Sequence, residues 1–162
     1  MQLIQATGSN APLIREMAET IWWSHYPAII GDEQVKFMLG KMYSLESLHS
    51  QIEEGKQLYY ILVEDENPIG FIGIEPLDST CAFIHKFYLL QTKQRKGSGT
   101  SAFQLVLNQF PEVKEIRLQV NRQNYQAINF YFKIGFIIEK VADFDIGDGY
   151  FMNDFIMKWN KI

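Results

Sequence analysis

The chain is expected to fold as a single α/β domain of the α+β kind, residues 1–162, around a mixed, mostly antiparallel sheet of about seven strands flanked by helices. Three observations predict this. Apolar residues recur at helical spacing in the first third of the chain, then change to the short β-rich runs of strands. Turn chemistry a few residues long joins those middle runs, as an antiparallel meander requires. After them comes a basic glycine loop, and then helix, strand, helix and two more strands.

The elements follow in order. Leu3, Ile4 and Gln5 make a short strand that ends at Thr7-Gly8-Ser9. Asn10 and Pro12 open a helix, because proline is tolerated in a first turn. Leu13, Met17, Ala18, Ile21 and Trp22 keep its period as far as His25, and Tyr26-Pro27 ends it. Asp32 caps a second helix carrying Val35, Phe37, Met38 and Met42. Ser44 caps a third, through Leu45, Leu48 and Ile52, closed by Gly55. Residues 58–63 form a strand, Asp65 to Pro68 a turn, and residues 69–74 a second strand. After a turn at Asp78-Ser79, residues 82–90 form a third, with Phe83, His85, Phe87 and Leu89 on one face. Ala102, Phe103, Val106, Leu107 and Phe110 have helical spacing, and Pro111 stops that helix. Ile116, Leu118 and Val120 alternate with polar residues as a half-buried strand. Residues 124–134 form a helix closed by Gly135, and residues 136–141 and 150–159 are the last two strands.

Composition narrows the function classes. A net charge of -4 argues against a dedicated nucleic-acid binder, which needs clustered lysine and arginine. No apolar run is long enough to span a membrane, and the first twelve residues lack the pattern of a secretory signal. One cysteine, Cys81, can form neither an internal disulfide nor a cysteine-rich zinc site. A cytoplasmic protein is therefore expected. His25 and His49 have no ligand spacing, so no metal site is expected. Twelve Phe, eight Tyr and three Trp are ascribed mainly to the core.

Gln94-Arg95-Lys96-Gly97-Ser98-Gly99 is the most informative segment. Glycines let a backbone turn tightly and approach a ligand closely. The free N–H groups of the next helix favour a phosphate, and Arg95 and Lys96 add positive charge. No P-loop string is present. Residues 97–102 do satisfy the dinucleotide pattern G-x-G-x-x-[GA]. The following strand, however, ends at Val120-Asn121-Arg122 without the acid such a fold needs, and too little chain remains for a doubly wound sheet.

The loop resembles the Q/R-x-x-G-x-G/A motif of the GNAT superfamily of N-acetyltransferases. Asn124-x-x-Ala127-x-x-x-Tyr131-x-x-x-Gly135-Phe136 is similar to a later helix of that family, in matching order and at a matching distance. The resemblance implies acetyl-CoA as acetyl donor. Its pyrophosphate would lie on the amides of Arg95, Lys96, Gly97, Ser98, Gly99 and Thr100, with Gln94 opening the turn. Its pantetheine arm would pair with Phe87, Tyr88 and Leu89 on a splayed strand. Asn124 would contact the donor, and Tyr131 would protonate the departing thiolate. An N–H near Leu89 would stabilise the oxyanion.

An ammonium cannot attack a carbonyl, so a base is needed. His85 is the first candidate, on the strand feeding the loop, with an ordinary pKa near neutrality; Glu75 is the second. Trp22, Trp23 and Tyr26 lie where the family roofs the acceptor site. Residues 21–43 resemble a subgroup that includes polyamine acetyltransferases, so the expected partner is a small-molecule amine, a polyamine among them, with a protein N-terminal or lysine amine as an alternative acceptor. The alternative is a non-catalytic acyl-CoA-binding module. A monomer or a homodimer is expected.

Overall fold

The computed structural model describes residues 1–94 and 97–161. Its strands are β1 (Gln2–Gln5), β2 (Leu58–Glu64), β3 (Asn67–Pro76), β4 (Cys81–Leu89), β5 (Glu115–Asn121), β6 (Ile137–Gly147) and β7 (Tyr150–Asn160). Its helices are α1 (Ala11–His25), α2 (Pro27–Ile30), α3 (Asp32–Tyr43), α4 (Leu45–Glu53), α5 (Ser98–Gln109) and α6 (Tyr125–Lys133). The seven strands form one sheet in the order β1-β2-β3-β4-β5-β7-β6. All neighbours are antiparallel except β4 and β5, which α5 links as a parallel crossover. The expected mixed, mostly antiparallel sheet flanked by helices is present.

The meander of β2, β3 and β4 is held by tight turns. Glu64 pairs with Asn67, so Asp65-Glu66 is a two-residue loop with φ of 49° and 63°. That is the turn whose twist matches paired strands. Asp148-Gly149, with φ of 52° and 79°, joins β6 to β7 in the same way.

Both faces of the sheet are covered, which explains the unbroken apolar run in β2. Tyr60 and Leu62 face a core completed by Ala102, Phe103 and Val106 of α5 and Ile128 and Tyr131 of α6. Tyr59, Ile61 and Val63 face a second core under α1, α3 and α4. Helix α1 contributes Ile14, Met17, Ala18, Ile21 and Trp22, one stripe at helical spacing. The Ser44 cap is present: its Oγ accepts from Ser47 N at 3.1 Å.

Five elements depart from the sequence expectation. In α3 the N-cap is Gly31, and Asp32 is the first helical residue rather than the cap. Pro27 ends α1 but also starts α2, because proline suits a first helical position. Helix α5 begins at Ser98, inside the glycine loop rather than after it. Strand β6 runs to Gly147, not Val141, as the outer strand of a long hairpin; Ile137, Ile138, Val141 and Phe144 stand exposed along it. In β4 the register passes from Ile74↔Ile84 to Gly73↔Lys86, so His85 is the extra residue of a β-bulge. The bulge reverses the alternation. Ile84 and, beyond it, Phe87 and Leu89 join the α5–α6 core. Lys86 and Tyr88 turn to the other face, so residues 83, 85, 87 and 89 do not share one. Among the described residues no helix is long and apolar enough to cross a membrane.

Candidate active site

β4 and β5 pair only from Cys81↔Glu115 to Ile84↔Leu118. Beyond that point β4 continues with β3 alone and β5 with β7 alone. The edge of β4 that faces β5 therefore carries backbone N–H and C=O groups with no strand partner. A cavity of about 760 Å³ opens through this gap, from the start of α5 to the underside of α1 and α3. Phe87, Tyr88 and Leu89 line it from one strand, and Gln119, Val120 and Asn121 from the other.

At the α5 end the polar groups are backbone amides. Gly97 caps the helix with φ of 95°, a conformation that side chains resist, and a Cβ there would meet nothing within 4 Å. Among the described residues no side chain caps α5. The first intrahelical bond runs from Ser101 N to Gly97 O at 2.9 Å, so the amides of Ser98, Gly99 and Thr100 have no carbonyl of their helix to bond. Such an end receives an anion, and Gly97, Gly99 and Thr100 line the cavity while Ser98 does not. Arg95 and Lys96 lie outside the described residues. Gly99 serves packing as well: a Cβ there would stand 2.7 Å from the Phe130 ring. Gln94 ties the loop to its surroundings, its Nε2 donating to Leu89 O at 3.0 Å and its Oε1 accepting from Gln126 Nε2 at 3.1 Å. The residues present fit a pyrophosphate followed by an amide-bearing arm.

Helix α6 brings Asn124 and Tyr131 to the middle of the cavity. Asn124 Oδ1 accepts from Ala127 N at 3.2 Å, so the residue is a helix cap and a wall residue at once. Burial pushes the Tyr131 hydroxyl well above its ordinary pKa, so it keeps its proton at neutral pH.

The α1–α3 end is built from side chains. Trp22 stacks on Tyr26 at 4.4 Å, and burial raises the Tyr26 pKa. Trp22 and Tyr26 line the cavity. Trp23 does not: one residue further round α1, it faces solvent with 41% of its surface exposed. His85 Nε2 lies 2.8 Å from Glu75 Oε2, so the two candidate bases form one pair. Only His85 reaches the cavity. Burial lowers the His85 pKa, and the bond to Glu75 opposes that shift.

Two charged wall residues, Lys86 and Asp154, carry no motif in the sequence. Lys86, 4% exposed, donates to Gln51 Oε1 and Gln57 Oε1, both at 3.0 Å. Burial brings its pKa down to about 8. Asp154, 3% exposed, has Gln119 Nε2 at 3.5 Å, and burial raises its pKa to about 6. The available signal was a charged residue inside an apolar strand run, at Lys86 and again at Asp154. Among the described residues no group of three or more His, Cys, Asp or Glu is placed to hold a metal ion.

Residues 15–136 match the family model for the acetyltransferase (GNAT) family. The chain belongs to the GNAT acetyltransferase family. It has the fold of an acetyl-CoA-dependent N-acetyltransferase. The PaiA N-acetyltransferase of Thermoplasma acidophilum, solved in complex with coenzyme A, is similar over 99% of this chain and 98% of its own, with 25% identity and a TM-score of 0.79. Ard1 of Thermoplasma volcanium shares the fold at 19% identity, over 99% of this chain and 97% of its own, with a TM-score of 0.70. A GNAT family acetyltransferase of Bacillus cereus does so at 19% identity, with the same coverage of both chains and a TM-score of 0.66. No curated protein matches the chain.

Proposed function

We propose that this GNAT protein transfers the acetyl group of acetyl-CoA to a small primary amine by direct attack while both substrates are bound. The observation that carries it is the single cavity. It joins an uncapped helix start, the free edge of a splayed strand, a protonated tyrosine and a histidine–carboxylate pair. Acetyl-CoA, when bound, supplies the thioester carbonyl.

The residues divide the work. The amides of Gly97, Gly99 and Thr100 receive the pyrophosphate. The free edge of Phe87, Tyr88 and Leu89 pairs with the pantetheine amides, and an N–H there stabilises the negative charge that grows on the carbonyl oxygen. His85 takes the proton of the attacking amine. Its lowered pKa leaves it neutral at physiological pH, and the Glu75 carboxylate accepts its Nε2–H and orients the ring. Glu75 is thus a positioning residue. Tyr131 gives its proton to the departing sulfur, and its raised pKa makes the unbound hydroxyl a reservoir of that proton. Trp22 and Tyr26 cover the acceptor.

The test is thiol release from acetyl-CoA with a panel of primary amines, alongside thermal shift with acetyl-CoA and with NAD. Turnover with at least one amine, and stabilisation by acetyl-CoA, are expected. Stabilisation without turnover would make the protein an acyl-CoA-binding module. Stabilisation by NAD alone would overturn the assignment of the cavity.

A further inference from the structure

Among the described residues Lys86 is a buried cation without a counter-charge. Its Nζ donates to two neutral amide oxygens, and burial alone accounts for its lowered pKa. Two of its three N–H groups are engaged, and one remains. Its surroundings are fixed. Gln51 Oε1 also accepts from Tyr59 Oη at 2.7 Å, while Gln51 Nε2 donates to Met42 O and Ser47 Oγ, each at 2.8 Å. The ammonium also lies over the rings of Tyr59 and Tyr43, at 5.1 Å and 5.9 Å. Lys86, Gln51 and Gln57 all form part of the cavity wall. The bulge at His85 is what turns Lys86 to this face, beside the gap between β4 and β5.

An ammonium held this way is costly until an anion joins it. The remainder of the wall does not supply one. Among the described residues, beside the tyrosines Tyr26, Tyr88 and Tyr131, its ionisable members are Lys41, Lys86, Lys133, His25, His85 and a single carboxylate, Asp154. A polyamine carries several positive charges and needs several acids; this wall would repel it. An acceptor with one amine and one acid suits it.

We propose that the acceptor amine also bears a carboxylate, and that Lys86, steadied by Gln51 and Gln57, receives that carboxylate. The assignment rests on the acetyl-transfer function above. It makes Lys86 a specificity-determining residue, with no part in moving the acetyl group. Asp154 is the carboxylate that the acceptor's ammonium meets before it gives up its proton.

The experiment measures thiol release from acetyl-CoA with glycine, β-alanine and γ-aminobutyrate, with the amides of the same three, and with putrescine and spermidine. At least one amino carboxylate should show kcat/KM about tenfold or more above its own amide and above both polyamines. The chain length preferred within the series reads the span from Lys86 to the thioester. Lys86→Met should bring the carboxylate-to-amide ratio towards one through KM; it replaces a buried charge by an apolar chain of similar length and should fold at least as well. Gln57→Glu keeps the lysine but gives it an internal partner, and should also lower the ratio. A polyamine preferred over every amino carboxylate, or a ratio unchanged in both variants, would overturn the proposal while leaving acetyl transfer in place. An enzyme that binds acetyl-CoA yet acetylates none of these amines, and no other primary amine, would overturn both.

Discussion

At the α5 end of the cavity the polar groups are backbone amides, set by a glycine at φ of 95° that stands at the helix N-cap. At the α1–α3 end they are side chains with displaced pKa values: Lys86 brought down, Asp154 raised, His85 lowered beside Glu75. The first end needs no buried charge, because amides fixed in a helix start favour an anion without being ions. The second holds ionisable groups out of water, at a cost to the folded state. The contrast fits a site that grips one common substrate by its backbone and selects another by its side chains.

Five substitutions can break or sharpen that contrast. The largest effect is expected at the side-chain end. His85→Ala should lower kcat by about 10²-fold or more and remove the acidic limb of the pH–rate profile. In the wild type that limb should rise through a pKa below the usual histidine value. Glu75→Gln should move it lower still, since the bond to Glu75 raises the His85 pKa. A limb unmoved in both variants would point to another base.

At the backbone end, Gly99→Ala should destabilise the fold by about 1–3 kcal/mol, because its Cβ meets the Phe130 ring, and should weaken acetyl-CoA binding. Calorimetry measures both. Unaltered stability would show that α6 moves aside freely.

Asp154→Asn tests the cost of buried charge. The folded pKa of about 6 lies above the ordinary 3.8, so the folded state keeps a proton that the unfolded state loses between those values. Stability from this group is full below that window and lost as pH rises through it. The variant should therefore gain about 1–3 kcal/mol at about pH 8 and little at about pH 4. Equal gains at both would mean that charge is not the cause.

The smallest effect belongs to Trp23→Ala, outside the cavity. The amine KM should stay within about twofold and stability within about 0.5 kcal/mol of the wild type. A large rise in KM would extend the acceptor site onto the solvent face of α1.

The same contrast governs what the sequence could reveal. The α5 end lies in one short segment plus one helix, so Gln94, Gly97, Gly99, Asn124 and Tyr131 were legible in local patterns. The Ser44 and Asn124 caps were legible for the same reason. The other end is assembled from α1, α3, α4, β4, β5 and β7. Its decisive step is one extra residue in β4, which no hydrophobic period announces. Without the bulge, His85 and Phe87 share a face; with it, Lys86 turns to the acceptor side. Glu75 and His85 looked like rivals because pairing across β3 and β4 sets their contact, not spacing in the chain. The length of β6 was readable after all: Asp148-Gly149 is a strong hairpin signal, and pairing back from it carries the strand to Gly147. Pro27 ended one helix and opened another, a double use that a stop rule cannot see.

The most direct test of the acetyl-transfer mechanism is the single-turnover rate of Tyr131→Phe with saturating acetyl-CoA and amine, measured beside its dissociation constant for acetyl-CoA. A fall of about 10²-fold or more in the chemical step, with the dissociation constant within about twofold, is the predicted result. An unchanged chemical step would contradict the role of Tyr131 as the acid that releases the thiolate.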